Sequence, residues 1–210
     1  MRALDRLDEL YAIGGGPGAN RPSGSDGEDR AHELAATWLE AAGLEVERDA
    51  AGNLLGRVLG TRPELPELWT GSHLDSVPQG GRLDGAVGVV AAIEAVERIG
   101  RQERTLAVVA FRGEEVGCIG SRARVVDADA LPGAFLELHI EQGPRLERAE
   151  APLAVVTSIV GYVRGTIETV GRASHAGTTP MDVREDALVA AALRVLSIRH
   201  EAVTIPEAVS

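Results

Sequence analysis

The run Thr105-Leu106-Ala107-Val108-Val109-Ala110-Phe111 carries no charge from end to end. A strand with one wet face alternates apolar and polar side chains. A strand covered on both faces reads as a continuous apolar run, so this stretch predicts the centre of a sheet. The segment from Ala86 to Ile99 matches it. Val87, Val89, Val90, Ile93, Val96 and Ile99 leave almost no polar side, which predicts a helix sandwiched between layers.

The remaining punctuation fits an alternating chain. Residues 2–12 place Leu4, Leu7 and Leu10 on one helical stripe, ended by Gly14-Gly15-Gly16-Pro17-Gly18. Ser25-Asp26-Gly27-Glu28 has the capping-box pattern, and Ala31, Leu34, Ala35, Trp38, Leu39 and Ala42 recur at helical spacing up to Gly43. Leu44–Glu47, Asn53–Leu59, Leu65–Gly71 and Ala134–Ile140 read as further strands. Strands alternating with helices predict an α/β three-layer sandwich on a mixed, mostly parallel sheet.

The pattern changes near Gly161. Residues 163–170 alternate like a strand, 171–180 form a loop, and Asp182-Val183-Arg184-Glu185 caps a helix to about His200. One strand and one helix are too little to bury a core. The expected organisation is a catalytic domain over 1–160 and, over 161–210, the beginning of an α+β lid domain that is cut short.

Composition bounds the partners. A net charge of −11 argues against nucleic acid and anionic membrane as partners. All 21 basic residues are arginine, a bias from which no function follows. The lone Cys118 excludes a disulfide framework. No apolar run approaches the roughly 18 residues of a membrane span. Met1–Tyr11 is charged and has no apolar core of a leader, so a cytoplasmic location is expected.

Four places carry chemistry, three of them at or just after the ends of expected strands, where open α/β sheets build sites. His73 follows the strand Leu65–Gly71. Asp84 stands before the helix at Ala86, where an N-cap and a cation ligand are compatible uses for one carboxylate. Glu114-Glu115 follows the apolar strand, and two carboxylates held close repel unless a cation or a proton lies between them. His139 shares one face of its strand with Glu137 and Glu141, a pattern that a wet strand face also produces. His, Asp and Glu are zinc ligand types, although no CxxC or HExxH spacing is present. His175 reads as a loop histidine.

The chain resembles the zinc-dependent amidohydrolase branch of the M20 metallopeptidase family, which holds allantoate amidohydrolases, N-carbamoyl-L-amino-acid hydrolases and β-ureidopropionases. The carriers are Gly71-Ser72-His73-Leu74-Asp75-Ser76-Val77, Gly80-Gly81-Arg82-Leu83-Asp84-Gly85, Glu114-Glu115, Gly120-Ser121-Arg122, Glu137 to Pro144 and His175 to Met181. The resemblance implies a zinc exopeptidase-like fold and a small-molecule substrate with a linear amide or ureido C–N bond. It implies two zinc ions per complete site, with manganese, cobalt or nickel as substitutes. His73, Asp84 and His139 would hold the first ion, and Asp84 would bridge to a second on Glu115. Glu114 would be the general base that takes a proton from the attacking water. Asp75 would orient the His73 ring, and His175 would contact substrate from the lid, often across a homodimer.

Two departures accompany the resemblance. Val116-Gly117-Cys118-Ile119 stands where the family has an Arg-Phe-containing loop. The family's late histidine on the second metal, and the lid's Asn and Arg, match nothing up to Ser210. The alternative expectation is therefore a catalytically incomplete fragment that binds at most one metal and for which a dimer is not expected. An M20 peptidase is the lesser alternative.

Overall fold

Five strands hydrogen-bond in the order β1-β2-β4-β3-β5, which puts β4 (Leu106–Phe111) at the centre of the sheet, as its unbroken apolar sequence predicts. The computed structural model describes residues 3–126, 131–159, 161 and 164–205. The first of its two compact units, Met1–Ala154, runs α1 (Ala3–Ala12), α2 (Asp26–Ala41), β1 (Glu45–Arg48), β2 (Leu54–Val58), β3 (Leu68–His73), α3 (Ala86–Ile99), β4, α4 (Ile119–Val125), β5 (Ala134–Leu136) and α5 (Arg145–Arg148). The second, Val155–Ser210, holds a 3-10 turn, Met181–Val183, and α6 (Ala187–Thr204).

The sheet is mixed, and its connections explain the division. A tight turn at Asp49–Gly52 joins β1 to β2, so they pair antiparallel. β2 also runs antiparallel to β4. Helix α3 is the crossover between β3 and β4, which leaves them parallel, and β5 is parallel to β3. Alternate residues of β4 serve the two faces. Val108 and Ala110 join the main core with Leu7 and Leu10 of α1, Trp38 and Leu39 of α2, and Val89, Ile93 and Val96 of α3. Ala107 and Val109 pack with Leu55 and Trp69 on the other face, where the Arg124 guanidinium of α4 lies 5.0 Å from the Trp69 ring centre. Helix α3 lies between the sheet and α1, which accounts for its nearly all-round apolar sequence. Each branched side chain buried there contributes roughly 1.5–3 kcal/mol.

Several local expectations are corrected. Ser25 does cap α2, accepting the Glu28 amide at 3.3 Å. Glu28 does not reach back to close the capping box: its carboxylate takes the amides of Gly24 and Gly113. The cap of α3 is Gly85, which leaves Asp84 free of that duty. The strand expected over 134–140 stops at Leu136, because β3 pairs with it only as far as Thr70. In the second unit, 164–170 form no strand despite their alternation, and Val163 lies outside the described residues, as does Arg2 of the helix expected over 2–12. Asp186, rather than Asp182, caps α6 by accepting the amides of Leu188 and Val189. Helix α6 buries none of its side chains. Among the described residues no helix is long and apolar enough to cross a membrane.

Candidate metal centre

His73 is the last residue of β3 and pairs in register with Phe111 at the end of β4. Its side chain is therefore delivered at the carboxyl edge of the parallel strands, and it is 2% exposed. The chain then leaves the sheet and returns at Asp84-Gly85. Gly85 has φ 63°, and a Cβ there would lie 2.5 Å from Cε1 of His73, so only glycine lets this turn close on the imidazole. His139 arrives from beyond β5. Its segment passes so near α3 that a Cβ on Gly88 would stand 2.6 Å from the Leu138 carbonyl oxygen. Glu137, just before, accepts the Ser72 hydroxyl at 2.5 Å.

These paths bring one ligand atom each of His73, Asp84 and His139 within 4.8 Å of one another. Oδ1 of Asp84 lies 3.9 Å from Nε2 of His73 and 3.3 Å from Nε2 of His139. Both rings use their other nitrogen elsewhere. Nδ1 of His73 is 3.2 Å from the Asp75 carbonyl and 3.3 Å from its carboxylate, and Nδ1 of His139 is 2.8 Å from the Ile140 carbonyl. Those acceptors hold the protons on Nδ1, so both Nε2 lone pairs face a carboxylate oxygen. Oδ1 of Asp84 is buried and has no hydrogen-bond partner among the described residues. Three electron-rich atoms aimed at one point repel each other unless a cation or a proton sits among them. The donor set and its orphaned oxygen fit a divalent metal.

The sequence profile of peptidase family M20/M25/M40 matches residues 69–209. The N-carbamoyl-L-amino acid amidohydrolase of Geobacillus stearothermophilus is 38% identical, over 96% of this chain and 60% of that protein. This chain belongs to peptidase family M20/M25/M40. The ureidoglycolate hydrolase of Arabidopsis thaliana is 33% identical, over 92% of this chain and 52% of that protein. A hydantoinase/carbamoylase family amidase from Burkholderia ambifaria has the same fold, with a TM-score of 0.69 at 27% identity over 96% of this chain and 60% of that one. The chain thus spans about half to 60% of the length of these relatives.

In this M20/M25/M40 member the carboxylate pair follows β4 on a loop held from three sides. Asp75 accepts the amides of Glu114 and Glu115, each at 3.1 Å. Glu28 accepts the Gly113 amide at 3.0 Å. Asn53, fully buried, accepts the Arg112 amide and donates to the Gly120 carbonyl, both at 3.0 Å. The loop so fixed places Oε2 of Glu114 3.7 Å from Nε2 of His73. Charges follow the geometry. Burial alone would depress the His73 pKa, but Asp75, Glu114 and Asp84 outweigh it and the net shift is upward. Burial alone would raise Asp75, but His73 and the two amides hold it below the ordinary value. Glu115 is pushed up by burial and by the neighbouring charge of Asp84.

The residues singled out in the sequence are therefore treated unequally. His73, Asp84 and His139 converge, Glu114 points at them, and Asp75 sits behind. The Glu115 carboxylate is not in the converging group. His175 belongs to the second unit, where its Nδ1 accepts the amides of Gly177 and Thr178 at 3.0 and 3.2 Å. Glu141 accepts the amides of Arg145 and Leu146 in the first turn of α5. Four contributors were not singled out as site residues in the sequence: Gln142, which donates to Oδ2 of Asp84 at 2.6 Å, and Ser72, Glu28 and Asn53.

Proposed function

We propose that this chain serves divalent-metal-dependent hydrolysis of linear amide or ureido C–N bonds, with N-carbamoyl-L-amino acids and allantoate-type ureides as the substrate classes. The observation that carries the reading is the orphaned Asp84 Oδ1 facing two imidazole lone pairs, with Glu114 3.7 Å from one of them. The name of the Geobacillus relative supplies the first class, and the family resemblance supplies allantoate.

His73, Asp84 and His139 would hold the ion. Zinc suits two imidazoles and a carboxylate, and the same donors accept cobalt, manganese or nickel. A divalent ion in such a site polarises a carbonyl and lowers the pKa of water. Asp75 keeps the His73 ring in the tautomer whose Nε2 faces Asp84, and it fixes the backbone from which Glu114 projects. Glu114 takes a proton from the attacking water at a carboxylate oxygen and returns it to the leaving nitrogen. That proton transfer contributes about 10²–10⁴ in rate for a well-placed base. The resemblance gives His175, whose Nδ1 accepts two amides of its own loop, the role of a substrate contact.

A second reading keeps the metal and drops turnover: an incomplete site that loads one ion. It is favoured by one fact, that Glu115 lies outside the converging group. Ammonia release by the cobalt- or zinc-loaded chain from N-carbamoyl-L-amino acids and allantoate separates the two. Release above the level of Glu114→Gln supports hydrolysis. Tight metal binding with no release supports the incomplete site.

A further inference from the structure

Arg21, in the loop between α1 and α2, is fully buried. A buried guanidinium ordinarily sits against a carboxylate. Among the described residues none lies within ion-pair distance of Arg21. Its Nε donates to the Leu74 carbonyl at 2.8 Å, its Nη1 donates to the Leu10 carbonyl at 3.0 Å, and its Nη2 has no partner among the described residues. Its main chain is engaged with the same segment. The Arg21 amide donates to the Ser76 hydroxyl and the Ser76 amide donates to the Arg21 carbonyl, both at 3.0 Å. Burial pulls the guanidinium below its ordinary pKa, and the charge that works against this is Asp75.

The position of these bonds is what gives them meaning. Ladder pairing of β3 ends at His73. Among the described residues Leu74, Asp75 and Ser76 follow with no strand beside them, yet all three are buried. Arg21 satisfies Leu74 and Ser76, the two neighbours of Asp75, and leaves the Asp75 carboxylate to His73, Glu114 and Glu115. An apolar residue of similar volume would fill the space but remove the side-chain donor from the buried Leu74 carbonyl, while the Leu10 carbonyl would keep the Ile13 amide at 3.2 Å.

We propose that Arg21 is a positioning residue for the metal centre, replacing the missing strand partner of Leu74–Ser76 so that Asp75 presents its carboxylate to His73 and to the Glu114–Glu115 amides. The inference rests on reading His73, Asp84 and His139 as a metal site.

The test is a Co²⁺ titration of the full chain, followed by visible absorption, alongside thermal unfolding of the metal-free form. Arg21→Met is compared with Arg6→Met, which removes another buried arginine, one bound to Glu97 between α1 and α3. Ser76→Ala removes one Arg21 contact with a smaller change. Arg21→Met is expected to weaken Co²⁺ binding by about 10-fold or more, the scale of outer-shell changes around metal ligands, and to alter the cobalt spectrum. Arg6→Met is expected to lower the melting temperature and bind Co²⁺ like the unmodified chain, and Ser76→Ala to show a smaller loss in the direction of Arg21→Met. Unchanged affinity and spectrum in Arg21→Met overturn the proposal. Where Arg21→Met shows no cooperative unfolding, Ser76→Ala decides, and unchanged binding there overturns it. If the unmodified chain takes up no Co²⁺, the metal reading itself fails and this inference falls with it.

Discussion

The carboxylate of Asp75 accepts the main-chain N–H of Glu114 at 3.1 Å. The same carboxylate faces Nδ1 of His73 at 3.3 Å. One buried side chain thus ties the end of β3 to the loop after β4, and the proposed ligand His73 and the proposed base are set by a common support.

Asp75→Asn tests that support. An amide has one acceptor oxygen, so it cannot serve both loop amides and the imidazole. The variant is expected to lose about 1–3 kcal/mol of stability in the metal-free chain, read by chemical denaturation. Its Co²⁺ affinity is expected to fall about 10–100-fold. Stability and affinity equal to those of the unmodified chain would show that the Asp75 contacts carry no weight.

Gly88→Ala probes the close approach of α3 to the segment that carries His139. The added methyl would meet the Leu138 carbonyl oxygen and Cβ of Ser72, both at 2.6 Å. Overpacking of this kind destabilises by about 1–3 kcal/mol. The displacement falls next to His139, so bound zinc per chain, measured by elemental analysis after dialysis, should drop together with the melting temperature. A lower melting temperature with full zinc content would mean that the His139 segment does not depend on this contact.

His32 gives a pH signature outside the proposed ligand group. It is fully buried on α2 with neither ring nitrogen partnered among the described residues, and burial, with Arg112 and Arg48 nearby, lowers its pKa to about 3. The folded chain therefore keeps it neutral between about 3 and the ordinary 6.5, while the unfolded chain binds a proton across that window. Stability falls as pH drops through the window, with a contribution of up to about 1.4 kcal/mol per pH unit. In urea unfolding across this range, His32→Gln should show a shallower acid loss than the unmodified chain. Identical slopes would contradict the assignment.

Glu114→Gln separates binding from chemistry. The side chain is a hydrogen-bonded neighbour of Cys118 Sγ, at 3.6 Å, and it lies outside the converging ligand group. The variant should bind Co²⁺ like the unmodified chain. Ammonia release from whichever ureide the unmodified chain turns over should fall about 10²–10⁴-fold. Full turnover by the variant would remove Glu114 from the role of base.

Much of this architecture was legible because it is local or periodic. The apolar run of β4, the bounds of α3 and the Ser25 cap each rest on residues close in sequence. Asp84 was ambiguous because Asp before a helix is a good cap. Only the turn at Gly85 shows that the cap is main chain and that the carboxylate is released toward His73. Glu28 likewise looked like half of a capping box, yet it serves Gly113, far along the chain. Period-two alternation overstated the strand at 134–140 and suggested another across 163–170. Alternation marks two faces but does not supply a pairing partner. Arg21, Asn53 and Gln142 were invisible because their meaning lies in which distant main-chain groups they satisfy.

The central claim is that His73, Asp84 and His139 together hold a divalent ion. It is tested most directly by titrating the metal-free chain with Co²⁺ and following visible absorption, in parallel with His73→Ala and His139→Ala. A saturable cobalt spectrum is expected for the unmodified chain. In each histidine variant the expected affinity loss exceeds the roughly 10–100-fold of an outer-shell change. An unmodified chain that binds no Co²⁺, or histidine variants that bind it as tightly as the unmodified chain, would contradict it.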